Sequence, residues 1–145
     1  MKFADYTKGY VLKLEPGEEL HETLIAFATK KRIPSAFFQG IGGLTNIELG
    51  YFNRAKNDYE RRHFDGDYEL VCANGNISDV DGKHFAHTHV VISDEKFQTF
   101  SGHFFKGIIT ITAEIFLFPI DIAMLRKPDE KLNFHGLDLP HHFVR

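Results

Sequence analysis

The 145 residues carry 17 Lys and Arg against 20 Asp and Glu, a formal charge of −3. That balance argues against a protein that grips nucleic acid through overall positive charge, and the length fits one domain, taken as residues 1–145, around a single core. The one cysteine, Cys72, excludes an intramolecular disulfide and is expected as a packed thiol in a reducing, cytoplasmic setting; no apolar leader and no run of roughly 20 apolar residues is found.

In chain order, Gly9 to Leu14 alternates as a first strand, and Glu15-Pro16-Gly17 turns it. Glu18 to Lys31 reads as the main helix, with Leu20, Leu24, Ile25, Phe27 and Ala28 on one stripe. Its acidic start and basic end suit the helix dipole, and Ile33-Pro34 ends it. Ser35 to Ile41 and Leu44 to Phe52 read as strands around Gly40-Ile41-Gly42-Gly43. No helix opens after those glycines, as a phosphate loop requires, so they are expected to allow a bulge or a close backbone approach. Tyr59 to Phe64 and Tyr68 to Ala73 read as strands around an Asp65-Gly66-Asp67 hairpin turn. A further turn at Asp79 to Gly82 leads into the histidine strand, and Ser93 to Lys96 joins that strand to Phe97 to Phe105. Ile108 to Phe118 is the plainest strand of all, with Ile109, Ile111, Ala113, Ile115 and Leu117 on one face, and Pro119 ends it. Ile120 to Leu125 reads as a last strand, and the tail from Lys127 shows little periodicity. Many strands and one clear helix predict an α+β fold on a mainly antiparallel sheet. With 15 Phe and no Trp, Phe is expected to fill the core.

The chemistry concentrates in His84-Phe85-Ala86-His87-Thr88-His89-Val90-Val91 and in Ser101-Gly102-His103. Alternation along a strand puts His87 and His89 on one face with Phe85 and Val91. A pair of imidazoles needs a third ligand to close on an ion, and His103 is one hairpin away. Three His with an open fourth position is an arrangement of catalytic zinc. The competing reading, with nine His in the chain, is chance clustering on a polar strand face. His21, His63, His84, His135, His141 and His142 are read as surface or turn residues.

Taken in order, several motifs resemble the PPC domain (plant and prokaryote conserved domain, DUF296). They are Leu14-Glu15-Pro16-Gly17-Glu18-Glu19-Leu20, Gly40 to Leu44, Tyr68-Glu69-Leu70 and Asn74-Gly75-Asn76-Ile77-Ser78. His87-Thr88-His89-Val90, Ser101-Gly102-His103, Thr112-Ala113-Glu114 and Arg126 complete the set, which spans about Gly9 to Leu139. The resemblance implies a homotrimer, an antiparallel sheet with small flanking helices, and zinc or another divalent transition metal on His87, His89 and His103. It implies a DNA-associated or transcription-regulator role, as members are commonly labelled, and a fold similar to acetolactate decarboxylase. Two departures stand out. The family's Gly-Gly-His is Ser101-Gly102-His103 here, and the plant Gly-Arg-Phe-Glu-Ile-Leu becomes Gly66-Asp67-Tyr68-Glu69-Leu70-Val71, which reverses a charge. No AT-hook is found.

Two functions follow. One is a metal-stiffened regulatory module, for which Arg54, Lys56, Arg61 and Arg62 are the only notable basic group, interleaved with Asp58, Glu60 and Asp65. The other is a metal-dependent, lyase-like enzyme acting on a small anionic metabolite, in which Glu114 supplies acid–base chemistry and Arg126 grips a carboxylate bidentately. The enzyme requires Glu114, Arg126 and the three His to share one pocket, whereas the DNA module requires a continuous cationic face.

Overall fold

In the computed structural model, residues 1–139 are described; His141 and His142 lie outside them. The strands are β1 (Lys2–Tyr6), β2 (Gly9–Leu14), β3 (Ser35–Asn53), β4 (Asp58–Val80), β5 (Lys83–Ser93), β6 (Thr99–Ile120), β7 (Leu125–Pro128) and β8 (His135–Asp138), with one helix, α1 (Leu20–Lys31), after β2. Neighbours run β1-β2-β6-β3-β4-β7-β8, and β5 joins β4 to β6. Every pairing is antiparallel except the short β4–β7 contact. Since β3 pairs β4 and β6, and β5 pairs the same two, the four long strands close on one another. The small flanking helices expected from the resemblance are not among the described residues. Among the described residues no helix is long and apolar enough to cross a membrane.

α1 begins as its acidic start suggests. Glu19 caps it by accepting from the Glu22 amide at 2.7 Å, and Arg32 ends it in a left-handed turn at φ 55°. Leu20, Leu24, Phe27 and Ala28 face the core. The helix packs on β5 and β6, the two strands that carry the histidines.

The long strands correct several boundaries. Ser35 to Asn53 is one strand with register shifts around Gly40–Leu44, as the glycines predict. A Cβ on Gly42 would run into the Thr112 carbonyl oxygen, so only glycine admits β6 this close. Asp65-Gly66-Asp67 does not turn the chain: β4 continues through it, with Gly66 at φ +92° and Thr45 Oγ1 donating to the Gly66 carbonyl at 2.7 Å. The Asp81-Gly82 turn forms as expected, both residues at positive φ. β6 also runs on, through Gly107 and Pro119, to Ile120. The expected strand Ile120 to Leu125 is absent; residues 121–124 are irregular, and the polar tail instead folds into the β7–β8 hairpin. β1, which shows no signal in the sequence, pairs with β2 on the exposed edge.

The core is built of Leu and Ile more than of Phe. Leu12, Leu14, Leu20, Leu24, Leu44, Ile47, Ile77, Ile92, Ile109 and Ile115 are sealed from solvent, and of the described Phe residues only Phe27, Phe38, Phe64 and Phe104 join them. Phe37, Ile41, Val71, Ile111 and Phe116 are exposed instead. Simple alternation places Ile111 on the inner face with Ala113 and Ile115. A register shift between β3 and β6 displaces it, leaving it 75% exposed.

A histidine triad beside an aromatic cavity

His87 and His89 project from β5, and His103 stands directly opposite His89 on β6. Ring centroids lie 5.0 to 5.5 Å apart. One nitrogen from each ring can be chosen so that all three lie within 4.8 Å of one another. The three side chains thus meet as strand alternation and one hairpin require. His89 is exposed, while the other two are half-buried.

Burial is the main cause holding His103 down to about 3 and His87 to about 4; neighbouring histidines add to it at both, and Arg126 adds to it at His87. Both are therefore available as neutral imidazoles at neutral pH. Nδ1 of His103 is buried with no hydrogen-bond partner, which is the condition of a lone pair or N–H built for something else. This orphaned nitrogen, and a donor set of three imidazoles, fit a divalent transition metal.

Behind the triad, Thr88 is fully buried and bonds His21 of α1 at 2.7 Å. His21 also stacks edge-on against Phe104, so it is no surface residue, and burial holds it near 4. His84 is structural as well, because it reaches Thr29 Oγ1 and the Ile33 carbonyl, both at 2.9 Å, and pins the end of α1. His63 is at the surface, beside Asp65 at 3.0 Å.

Arg126 enters from β7 and is 7% exposed. Its Nε donates to Ser78 at 2.8 Å and its Nη1 to the His135 carbonyl at 2.9 Å. Nη2 donates to Asn76 Oδ1 and to His87 Nδ1, both at 3.1 Å. Four of the five guanidinium N–H groups are thus engaged, so the expected bidentate grip is not open as it stands. No carboxylate pairs with this buried cation among the described residues, an arrangement that leaves its charge to the adjoining cavity.

That cavity, about 320 Å³, is walled by Tyr59, Phe85, Phe134 and Val80, with His87, His103 and Arg126 at its polar end. Tyr59 lies over His103 at 4.7 Å, and burial raises its phenol, which stays neutral at pH 7. His135 is exposed, as its surface reading expects, and it also lines the cavity. Glu114 is not there. It is exposed on the far part of β6, paired with Lys13 and Ile41.

The basic group of the β3–β4 turn is largely engaged. Lys56 pairs with Glu60 at 2.7 Å, Arg61 pairs with Glu48 at 2.8 Å and lies over Phe105, and Arg62 lies over Phe64. Cys72 is half-buried and accepts from the Asn74 amide at 2.9 Å.

Residues 1–121 match the family described as the Plants and Prokaryotes Conserved (PCC) domain. A plant- and prokaryote-conserved (PPC) protein of Pyrococcus horikoshii is 34% identical, with 97% of each chain covered and a TM-score of 0.83. A metal-containing protein of Archaeoglobus fulgidus is 27% identical, covering 96% of this chain and 100% of its own, at a TM-score of 0.85. A protein of Ralstonia eutropha, named for a proposed DNA-binding role, is 25% identical over 96% of each chain at a TM-score of 0.87. No protein of curated function matches.

Proposed function

The chain belongs to the plants and prokaryotes conserved domain family, and from that premise we propose that it is a metal-dependent binding module for a small anion. His87, His89 and His103 hold a divalent transition metal, zinc first, and Arg126 supplies a second positive charge beside it. The orphaned Nδ1 of His103 carries the reading, because a buried imidazole nitrogen without a partner costs stability unless something fills the gap. The metal-containing Archaeoglobus relative supports it. Bound there, the ion would supply Lewis acidity with its charge uncompensated by three neutral ligands.

Arg126 is tied to the same event. Its Nη2 always donates, so His87 Nδ1 accepts, and the His87 proton sits on Nε2. A ligating nitrogen must offer its own lone pair. His87 could not ligate a metal and keep the Arg126 bond, so with a metal held there one more guanidinium N–H of Arg126 would be free for an anion. The site becomes more receptive to an anion when it is loaded.

The lyase-like alternative loses its acid–base residue, since Glu114 lies outside the cavity; apart from the triad, Tyr59 and His135 are the proton-carrying side chains that line it. A DNA-binding role, which the Ralstonia neighbour's name proposes for that protein, gains no support here from the engaged basic residues. It stands as the second reading, through a protein partner rather than direct contact. The exposed apolar residues Phe37, Ile41, Val71, Ile111 and Phe116 support self-association, and the family resemblance makes a homotrimer the assembly to test.

The test is elemental analysis of untagged protein, wild type and His89→Ala. His89 is exposed and outside the core, so the variant should fold. About one metal per wild-type chain, lost in the variant, is expected; no metal after incubation with zinc would overturn the proposal.

A further inference from the structure

The walls of the cavity say more about its ligand than the histidines do. One end is cationic and polar, formed by Arg126, His87 and His103. The remaining lining is mainly aromatic and apolar, with His135 beside it: Phe85 lies under the Arg126 guanidinium at 5.5 Å, Tyr59 lies over His103, and Phe134 and Val80 complete the wall. Phe85 is 38% exposed and Phe134 37% exposed, so aromatic surface is presented to the cavity rather than sealed in the core. An inorganic anion or acetate would use the cation and leave these rings wet.

Size points the same way. A dry engineered cavity of about 150 Å³ is enough to hold benzene. At about 320 Å³ this one has room for a ring together with a carboxylate. The β7–β8 hairpin supplies Arg126, Phe134 and His135 to the lining. It meets β4 over only the Asp79–Leu125 and Val80–Arg126 pairs, and is held near its tip by Asn57 bonds to Lys131 and Asn133. Both Arg126 and Phe134 lie beyond residues 1–121, the part matched by the family.

We infer that the ligand class is a small carboxylate with a flat aromatic or conjugated body: the carboxylate faces Arg126 and the histidines, and the ring slots between Tyr59, Phe85 and Phe134. This rests on the anion-binding reading above and adds selectivity for the body of the ligand, set by the C-terminal hairpin.

Isothermal titration calorimetry on the zinc-reconstituted chain tests it, with benzoate, acetate and benzyl alcohol as probes. Benzoate should bind roughly tenfold or more tighter than acetate, from the apolar area of one ring, and tighter than benzyl alcohol, which lacks the charge. Phe134→Ala, a substitution of an exposed hairpin residue, should weaken benzoate about fivefold and leave acetate unchanged. Equal binding of acetate and benzoate would overturn the aromatic slot while leaving the anion site intact. So would benzoate affinity unmoved by Phe134→Ala. Failure of both anions to bind would overturn the anion-binding reading itself.

Discussion

Replacing His21 by Gln should make the fold markedly less sensitive to mild acid. The fold holds His21 neutral down to about 4, mainly by burial, against an ordinary value of 6.5. The unfolded chain takes up that proton near 6.5 and the folded chain does not, so stability is lost as pH falls from 6.5 to about 4 and levels off below. Each pH unit is worth about 1.4 kcal/mol per proton, so full burial would give about 3 kcal/mol, and partial exposure brings this to about 2. Gln cannot titrate and can still bond Thr88. Urea unfolding between pH 7 and 4, with chelator present, should show the variant losing about 2 kcal/mol less than wild type. His87 and His103 share the same sign, so a residual slope stays in both proteins. Identical pH dependence in wild type and variant would refute the argument.

Gly75→Ala should cost about 2–3 kcal/mol in urea unfolding, because its Cβ would collide with the Phe38 ring and stand 2.6 Å from the His87 carbonyl oxygen. A cost under about 0.5 kcal/mol would show that β5 can yield. Glu114→Gln should leave metal content and benzoate affinity unchanged in the same assays, since Glu114 is remote from the cavity; a loss of either would bring Glu114 into the site from another chain. Ile111→Lys should dissociate the proposed homotrimer in sedimentation velocity while the isolated chain keeps its stability within about 0.5 kcal/mol, and an unchanged sedimentation coefficient would remove Ile111 from the contact.

The parts of the molecule legible in the sequence are those set by local periodicity. α1 and the face shared by His87 and His89 follow from 3.6-residue and two-residue repeats, and the Asp81-Gly82 turn from its residue types. The strand ends are less legible for one physical reason. Glycine and Asp-Gly steps read as punctuation, but a strand that bends around a closing sheet uses them as bulges, as at Gly66, or as close approaches, as at Gly42. Pro119 misleads in the same way: it sits one residue from the end of β6, where the ladder loses little by a missing donor. Half of the cavity is invisible in the sequence because Tyr59, Phe134 and His135 reach it through tertiary pairing; no spacing links them to His103. The Asp65 turn is likewise overruled from outside, by the Thr45 bond that keeps β4 running.

β6 lies between β2 and β3, although it is made long after either. A nascent chain that has finished β3 must still extend through residues 54–98 before β6 begins, a delay of about 2–9 s at about 5–20 residues per second. Through that interval β2 has no inner neighbour, and one edge of β3, rich in Phe, Ile and Leu, has no partner. Translation arrest before Thr99 therefore yields a sticky fragment with an open sheet rather than a smaller version of the protein. The fold is committed late in synthesis, and the strand that seals the sheet is the one that delivers His103.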